Sequence, residues 1–291
     1  MSGPARKKPS AASRLAIRII AYAAAIAISI FFVYPFYWMI VNSFRTQEAV
    51  LSRPLALLPE QFDFAAYETI ASIGGVSLTT YLTNSLLITA VATALGVSIM
   101  AMGAYALYRS PKLPLFGTVR NTFLVAIMYP NMLLVIPLYF VVYYLGLLQS
   151  QAGNYVGIVL SISIVPLVFI LFLQFFRNIP SELLDAAVMD GATEWQIFRR
   201  IVLPLAKPVV LTACLIAVLL NWKQWFQILV ISTSPDTYTL PVALLSLNTE
   251  YGVNFQATMA LATLTCVPVI IVFILTQRRV MSGFLAGAVK G

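Results

Sequence analysis

The sequence predicts an all-α integral membrane protein with six membrane-spanning helices. Hydrophobic residues make up 60% of the 291 residues and charged residues only 10%, which is too apolar for a soluble domain of this length. Six apolar runs reach about 20 residues, enough for a helix to cross a hydrocarbon core about 30 Å thick. The predicted spans are residues 16–41, 81–107, 121–145, 155–176, 209–231 and 257–276.

The first apolar run is predicted to be a retained membrane anchor rather than a cleaved signal peptide. It follows a basic start that resembles a signal peptide, with Arg6, Lys7 and Lys8 among its charges. However, the run is longer than the usual ~7–15 apolar residues of a signal peptide, and five more spans follow it.

The distribution of basic residues predicts the orientation. Of the 18 lysines and arginines, only Arg45 and Arg53 fall in segments on the outer side, and Lys223 lies within the fifth span. The positive-inside rule therefore places both termini and the loop that begins at Ser181 in the cytoplasm. The net charge of +8 is explained by this topology and by attraction to anionic membrane lipid, so it does not require a nucleic-acid partner.

The longest polar-rich segment between two apolar runs is residues 181–208, and it is predicted to dock another protein. Two short helices, residues 181–189 and 193–202, flank Gly191, which can adopt a positive φ and so allow a sharp turn. The helices are bounded by Pro180, Pro204 and Pro208. Two adjacent small residues, Ala186 and Ala187, allow another surface to come close.

The spacing of this segment resembles the EAA loop of ABC importer permeases. Asp185-Ala186-Ala187, three residues, Gly191, nine residues and then Ile201-x-Leu203-Pro204 match that pattern, with aspartate where glutamate is commonest. The words DGATEWQ, FRRI and LPLAKP resemble the carbohydrate-uptake branch, particularly the smaller permease of maltose-type importers. The alternative is an ordinary cytoplasmic loop with amphipathic helices.

The resemblance implies a type I ABC importer permease fold in a bacterial cytoplasmic membrane. Its parts would be a basic N-terminus (1–15), a peripheral first helix (16–41), an external loop (42–80), a transport core (81–277) with coupling loop 181–204, and a cytoplasmic tail (278–291). The implied partners are a different sister permease, two ATPase subunits that bind ATP and Mg²⁺, and an external solute-binding protein. The residues implied to couple to the ATPase are Asp185, Ala186, Ala187, Asp190, Gly191 and Pro204.

The fifth span holds an unusual group of polar and aromatic residues. An ionisable residue within a span usually faces a bundle interior or an aqueous cavity, and Lys223 and Gln227 are predicted to share a helix face. Tryptophan rings stack on sugars and amides bind hydroxyls, so a saccharide path is one interpretation. The other is a lysine that snorkels to the interface beside an aromatic belt. The group comprises Asn221, Trp222, Lys223, Gln224, Trp225 and Gln227.

The third span contains Pro130 and Pro137 with Asn131 at membrane depth. Proline frees helix carbonyls and usually kinks the helix, so either a bent helix beside the translocation path or a kink needed only for packing is predicted.

The fifth span also departs from the resembled family. Sugar permeases of this branch often carry a Trp-Asn-Glu-Phe-like word, where this chain has Trp222-Lys223-Gln224-Trp225. The change removes an acid and adds a base. If these groups face the path, an anionic substrate, such as a uronate oligosaccharide or a sugar phosphate, is favoured over a neutral sugar.

Missing residue types narrow the function. The chain has no histidine, which excludes histidine-metal sites and histidine acid–base catalysis, and it has no P-loop word for ATP. Cys214 and Cys266 are predicted to be apolar fillers, and no metal or cofactor is expected on this chain. All ten acids lie outside the spans, which argues against a proton symporter. The chain is thus predicted to be a transporter subunit rather than an enzyme, with a stand-alone carrier or channel as the alternative.

Overall fold

Three continuous helices are long and apolar enough to cross a membrane in the computed structural model, which describes residues 11–110, 114–250 and 254–288. They are α1 (Ala11–Asn42), α4 (Leu78–Arg109) and α15 (Phe255–Ala288). Helix α1 is exposed along most of its length and contacts α15, whereas α4 is the central helix of the bundle. Several basic residues used to predict the topology lie outside the described residues: Arg6, Lys7, Lys8, Lys112 and Lys290.

Three pairs of shorter helices are bent at a break of a few residues. The chain bends by 114° between α5 (Pro114–Met128) and α6 (Val135–Tyr144). It bends by 51° between α7 (Gln151–Ser163) and α8 (Pro166–Phe176). The third pair consists of the helical segment Glu194–Leu205 and α12 (Lys207–Trp222), and it is bent by 80°. The described residues therefore contain three continuous candidate spans, or up to six if each bent pair crosses once.

The predicted bend within residues 121–145 is present, but the prediction of one continuous helix there was wrong. The chain breaks at Tyr129 and Pro130 and continues as a 3₁₀ turn, Asn131–Leu134, before α6 begins. Pro130 has an extended backbone, and Pro137 lies in the first turn of α6, where its missing N–H removes no helical hydrogen bond. The change of direction therefore occurs around Pro130 and does not involve Pro137.

The prediction of one helix over residues 209–231 was also wrong. Helix α12 ends at Trp222, three non-helical residues follow, and α13 (Phe226–Ile231) begins after them. Lys223 and Gln227 therefore do not share a helix face, because the i, i+4 relationship requires a continuous helix. Residues 155–176 are broken as well, at Ile164 and Val165, where Pro166 disfavours helical backbone in the residue before it.

The central core forms where α4 crosses α8 and α12. Phe169, Phe172 and Phe176 of α8 are fully buried there. Nearer the N-terminal end of α4, Gly96 lies directly against the end of α7. A Cβ atom built on Gly96 would lie only 2.0 Å from the carbonyl oxygen of Ser163, so only glycine fits this crossing without a backbone shift.

The segment between α1 and α4 is structured. It contains α2 (Gln47–Ser52), α3 (Ala65–Ile70) and a hairpin of β1 (Ser72–Ile73) with β2 (Val76–Ser77), and it packs on α14 (Leu240–Glu250) and α15.

Arg45, counted above as a basic residue of the outer side, is only 1% exposed. Its guanidinium donates to the side chain of Asn42 and to the carbonyls of Ala49 and Arg53. Arg45 therefore joins the end of α1 to α2.

Candidate functional site

Residues 181–205, hereafter the coupling element, form two helical segments joined by a tight turn. Helix α9 (Ser181–Met189) begins directly after Pro180, whose backbone is extended. It ends in a Schellman arrangement, because Gly191 N–H donates to Val188 O and Ala192 N–H donates to Ala187 O, each at 3.0 Å. Gly191 has φ of +81°, as the glycine at this turn predicted.

The second segment starts with a capping box. The Thr193 hydroxyl accepts from Gln196 N–H, and the Gln196 side chain accepts from Thr193 N–H. Helix α10 (Glu194–Ile197) then continues through a π-helical stretch (Phe198–Val202) into α11 (Leu203–Leu205).

The chain turns by 80° into α12 after the coupling element. Pro204, one of the residues implied to couple to the ATPase, lies inside α11, two residues before Ala206, where the turn occurs.

The coupling element presents apolar side chains to its surroundings. Leu183, Val188, Met189 and Trp195 are exposed, and Met189 reaches 87%. An exposed apolar patch next to charged residues is typical of a protein interaction site. Within the described chain, these four side chains are therefore candidates for contact with another subunit.

The predicted coupling residues do not all face outward. Asp185, Ala186, Asp190 and Gly191 are exposed, whereas Ala187 is buried beside Leu184 in the core of the chain. A partner can therefore approach Ala186 closely, while the small size of Ala187 serves packing within this protein.

A charged network joins the coupling element to the end of α4. The Arg109 guanidinium donates to both carboxylate oxygens of Glu194, at 2.8 to 3.2 Å, and the Tyr105 hydroxyl donates to the same carboxylate at 2.5 Å. A second carboxylate, that of Asp185, lies 3.9 Å from Arg109. A cavity of about 380 Å³ borders the network and is also lined by Trp195.

The Arg109–Glu194 pair was not predicted from the sequence. Arg109 served only as a topology marker, and the two residues lie 85 positions apart. The hydrogen bond from Arg109 lowers the pKa of the Glu194 carboxyl, outweighing the rise that burial causes. The contribution of the pair to stability is therefore present above the usual glutamate pKa and is lost only as the pH falls through the lowered value.

The polar residues of the fifth span gather at its break but have different surroundings. Asn221, Trp222 and Gln227 are buried, Gln224 and Trp225 are half-buried, and Lys223 is exposed. Asn131 is exposed at a different break, that between α5 and α6.

Two of the buried residues hold the break in place. The Asn221 amide donates to the Thr93 hydroxyl of α4 at 3.3 Å, and the Trp222 indole donates to the Thr265 carbonyl of α15 at 3.1 Å. The Asn221 Oδ1 atom has no hydrogen-bond partner among the described residues. Trp222 is thus engaged in packing and is not free to stack on a sugar.

Comparison with known proteins identifies the family. Residues 98–283 match the family described as binding-protein-dependent transport system inner membrane component. The chain belongs to this family. This permease is therefore a subunit of an ABC importer. The membership in the ABC importer permeases that the EAA-like spacing predicted is confirmed. ATP hydrolysis belongs to separate subunits of such importers.

Curated relatives of this permease align over most of its length. The diacetylchitobiose uptake system permease protein DasC of Streptomyces coelicolor is 31% identical over 92% of this chain and 95% of that protein. The arabinooligosaccharides transport system permease protein AraQ of Halalkalibacterium halodurans is 31% identical over 89% and 91%.

A solved structure supports the fold. A chain of a bacterial ABC transporter involved in the import of the acidic polysaccharide alginate aligns with a TM-score of 0.76, covering 93% of this permease and 98% of that chain. Its sequence identity is 23%, so this comparison concerns the fold alone.

Proposed function

We propose that this permease forms half of the translocation path of an ATP-driven importer for an oligosaccharide. The observation that carries this proposal is the similarity, over 89–92% of this chain, to permeases named for the uptake of diacetylchitobiose and arabinooligosaccharides. The proposed topology has six membrane crossings with both termini in the cytoplasm of a bacterial inner membrane, as the distribution of basic residues predicts.

The proposed partners occupy opposite sides of the membrane. An ATPase pair, which binds ATP and Mg²⁺, would seat on the exposed apolar side chains of the coupling element, around Leu183, Val188 and Met189. A solute-binding protein would deliver the substrate from outside, and a different sister permease would complete the path.

The proposed mechanism uses the coupling element as a rigid body. Closure of the ATPase pair on ATP would displace α9 and α10 together, because the Gly191 turn and the Thr193 capping box satisfy the backbone groups between them. The displacement would switch the two permeases from an inward-open to an outward-open path. This chain contributes motion and a passage, and no covalent step.

The break of the fifth span is the proposed location of the substrate path. Non-helical backbone at membrane depth is tolerated where it is buried in protein or lines a water-filled cavity. Lys223 is exposed at that break, and an exposed cation in lipid would be strongly unfavourable. We therefore place four residues on the path: Asn131, Lys223, Gln224 and Trp225. The buried residues at the break stabilise it through packing within the protein: Asn221, Trp222 and Gln227.

Lys223 leads to the prediction of an acidic substrate. Replacing Lys223 with glutamine is expected to reduce uptake of a uronate oligosaccharide by about tenfold or more, because hydrogen bonds to charged groups are worth roughly 1.5–3 kcal/mol. Uptake of a neutral oligosaccharide of the same length should change little. The measurement is the ratio of the two initial uptake rates.

The matched control is Lys207→Gln, which removes another exposed lysine from the opposite end of α12. An unchanged uptake ratio in Lys223→Gln, or a wild-type importer that accepts only neutral sugars, would contradict the acidic assignment without affecting the importer class.

The importer assembly is tested by gentle affinity purification of this chain from its native membrane, with mass identification of the proteins that accompany it. We expect a second permease and an ATPase, and the captured binding protein can then be screened with neutral and acidic saccharides. Recovery of the chain alone, still moving solute without ATP, would instead indicate a stand-alone carrier or channel.

A further inference from the structure

The end of α4 contacts the coupling element and the residues just before it. Tyr105 and Arg109 bind Glu194, the first residue of α10, while the Tyr108 hydroxyl donates to the carbonyl of Ile179 at 3.0 Å, two residues before α9 begins. Helix α4 is remote in sequence from these segments, so the contacts provide a connection that the chain itself does not.

The Tyr105 side chain is held rigidly. The centre of its ring lies 5.1 Å from the ring centre of Phe198, in the second half of the coupling element. It lies 6.2 Å from the ring centre of Phe176, at the end of α8. Tyr105 and Phe176 are both buried. Packing on two sides fixes the direction of the hydroxyl, which therefore positions the Glu194 carboxylate for the paired hydrogen bonds from Arg109.

Helix α4 also contacts two of the three breaks in the bundle. Thr93 of α4 accepts the hydrogen bond from Asn221 at the break of the fifth span, and Gly96 lies against Ser163 at the break between α7 and α8. These positions are 13 to 16 residues from Arg109, about 20–24 Å along one helix. Because α4 is one continuous helix, a displacement at Arg109 can be passed to these two breaks along it.

We infer that Tyr105 and Arg109 are positioning residues that make α4 move with the coupling element, through the carboxylate of Glu194. The coupling element is covalently continuous with α12, so its displacement moves α12 directly. The hydrogen bonds between Arg109 and Glu194 pass the same displacement to α4, the central helix. Asp185 is not the principal partner, because 3.9 Å exceeds hydrogen-bond distance whereas Glu194 makes paired hydrogen bonds. The inference rests on the importer class and not on the identity of the solute.

Spin labels test the link without a transported solute. Labels would be placed at Ser110, just after α4, and at Arg200 in the coupling element, with Cys214 and Cys266 replaced by serine. The intact importer in lipid nanodiscs would be measured without nucleotide and after trapping with Mg-ATP and vanadate. We expect the distance between the labels to stay constant in the wild type and to change on trapping in Arg109→Gln.

A functional readout separates a positioning role from a general loss of stability. Arg109→Gln and Glu194→Gln are expected to retain ATP hydrolysis while solute uptake per ATP falls roughly 3- to 30-fold. Tyr105→Phe, which removes only the hydroxyl, should show a smaller fall. The charge-reversed pair Arg109→Glu with Glu194→Arg should recover part of the loss.

The matched controls are Arg199→Gln and Arg200→Gln, which remove exposed arginines of the same element that form no ion pair within the described part of the chain. The inference is overturned if the label distance in Arg109→Gln behaves as in the wild type. It is equally overturned if uptake and ATP hydrolysis fall in parallel and the charge-reversed pair recovers neither.

Discussion

Replacing Gly96 with alanine is expected to separate α4 from the break between α7 and α8 and to reduce both stability and transport severely. The added Cβ would lie 2.0 Å from the carbonyl oxygen of Ser163 and 2.9 Å from its carbonyl carbon. Both are backbone atoms, so no side chain can rotate away to relieve the clash. Overpacking of this kind typically destabilises by about 1–3 kcal/mol, and backbone contacts lie at the upper end because the helices themselves must shift.

The same helix provides a matched control for Gly96. A Cβ added at Gly103 would meet only the Phe169 ring, at the ordinary contact distance of 3.6 Å. Thermal unfolding of the purified protein and ATP-driven uptake should both be near wild type in Gly103→Ala and strongly impaired in Gly96→Ala. Equal stability and uptake in the two variants would mean that the close crossing of α4 and α7 is absent from the working protein.

Replacing Gly191 with valine is expected to uncouple or abolish ATP-driven uptake while the protein still inserts into the membrane. Gly191 has φ of +81°, a conformation that costs an L-residue about 1–2 kcal/mol and is especially unfavourable for a β-branched one. Apart from atoms of Gly191 and its two chain neighbours, no heavy atom among the described residues lies within 4 Å of a Cβ built at Gly191, so the effect comes from the backbone and not from a clash. Relief of this strain would reorient α9 relative to α10.

Two controls distinguish coupling from general strain in the Gly191 experiment. Gly191→Asn should retain much more uptake, because asparagine tolerates positive φ better than other residues. Gly75→Val introduces similar strain, at φ of +77° and with no described atom nearby, in the hairpin between α3 and α4. Normal uptake in Gly191→Val would count decisively against movement of the coupling element as a rigid body.

Local sequence signals predicted the coupling element well. Helix α9 begins directly after Pro180, and Gly191 has the positive φ that the turn requires. Capping and turn chemistry act between residues that are close in sequence, so the same bonds form wherever the segment is placed. The apolar runs likewise predicted a mostly helical membrane protein, because burial in lipid requires that backbone groups be satisfied within each segment.

The breaks within the spans were not predictable from apolar length. Residues 209–231 are apolar enough for one helix, yet α12 stops at Trp222 because distant partners hold its end: Thr93 binds Asn221 and the Thr265 carbonyl binds the Trp222 indole. Hydrophobicity measures the tendency to enter the membrane and carries no information on such contacts.

The sequence by itself determined that this permease is a helical membrane protein with a built turn at Gly191, because those features depend on composition and on neighbours in the chain. Only the tertiary structure decided that Ala187 faces inward, that Lys223 lies at a break, and that Arg109 binds Glu194. The physical reason is distance along the chain. Contacts between residues far apart form only once the helices are packed, and their geometry then selects which side chains remain free to act.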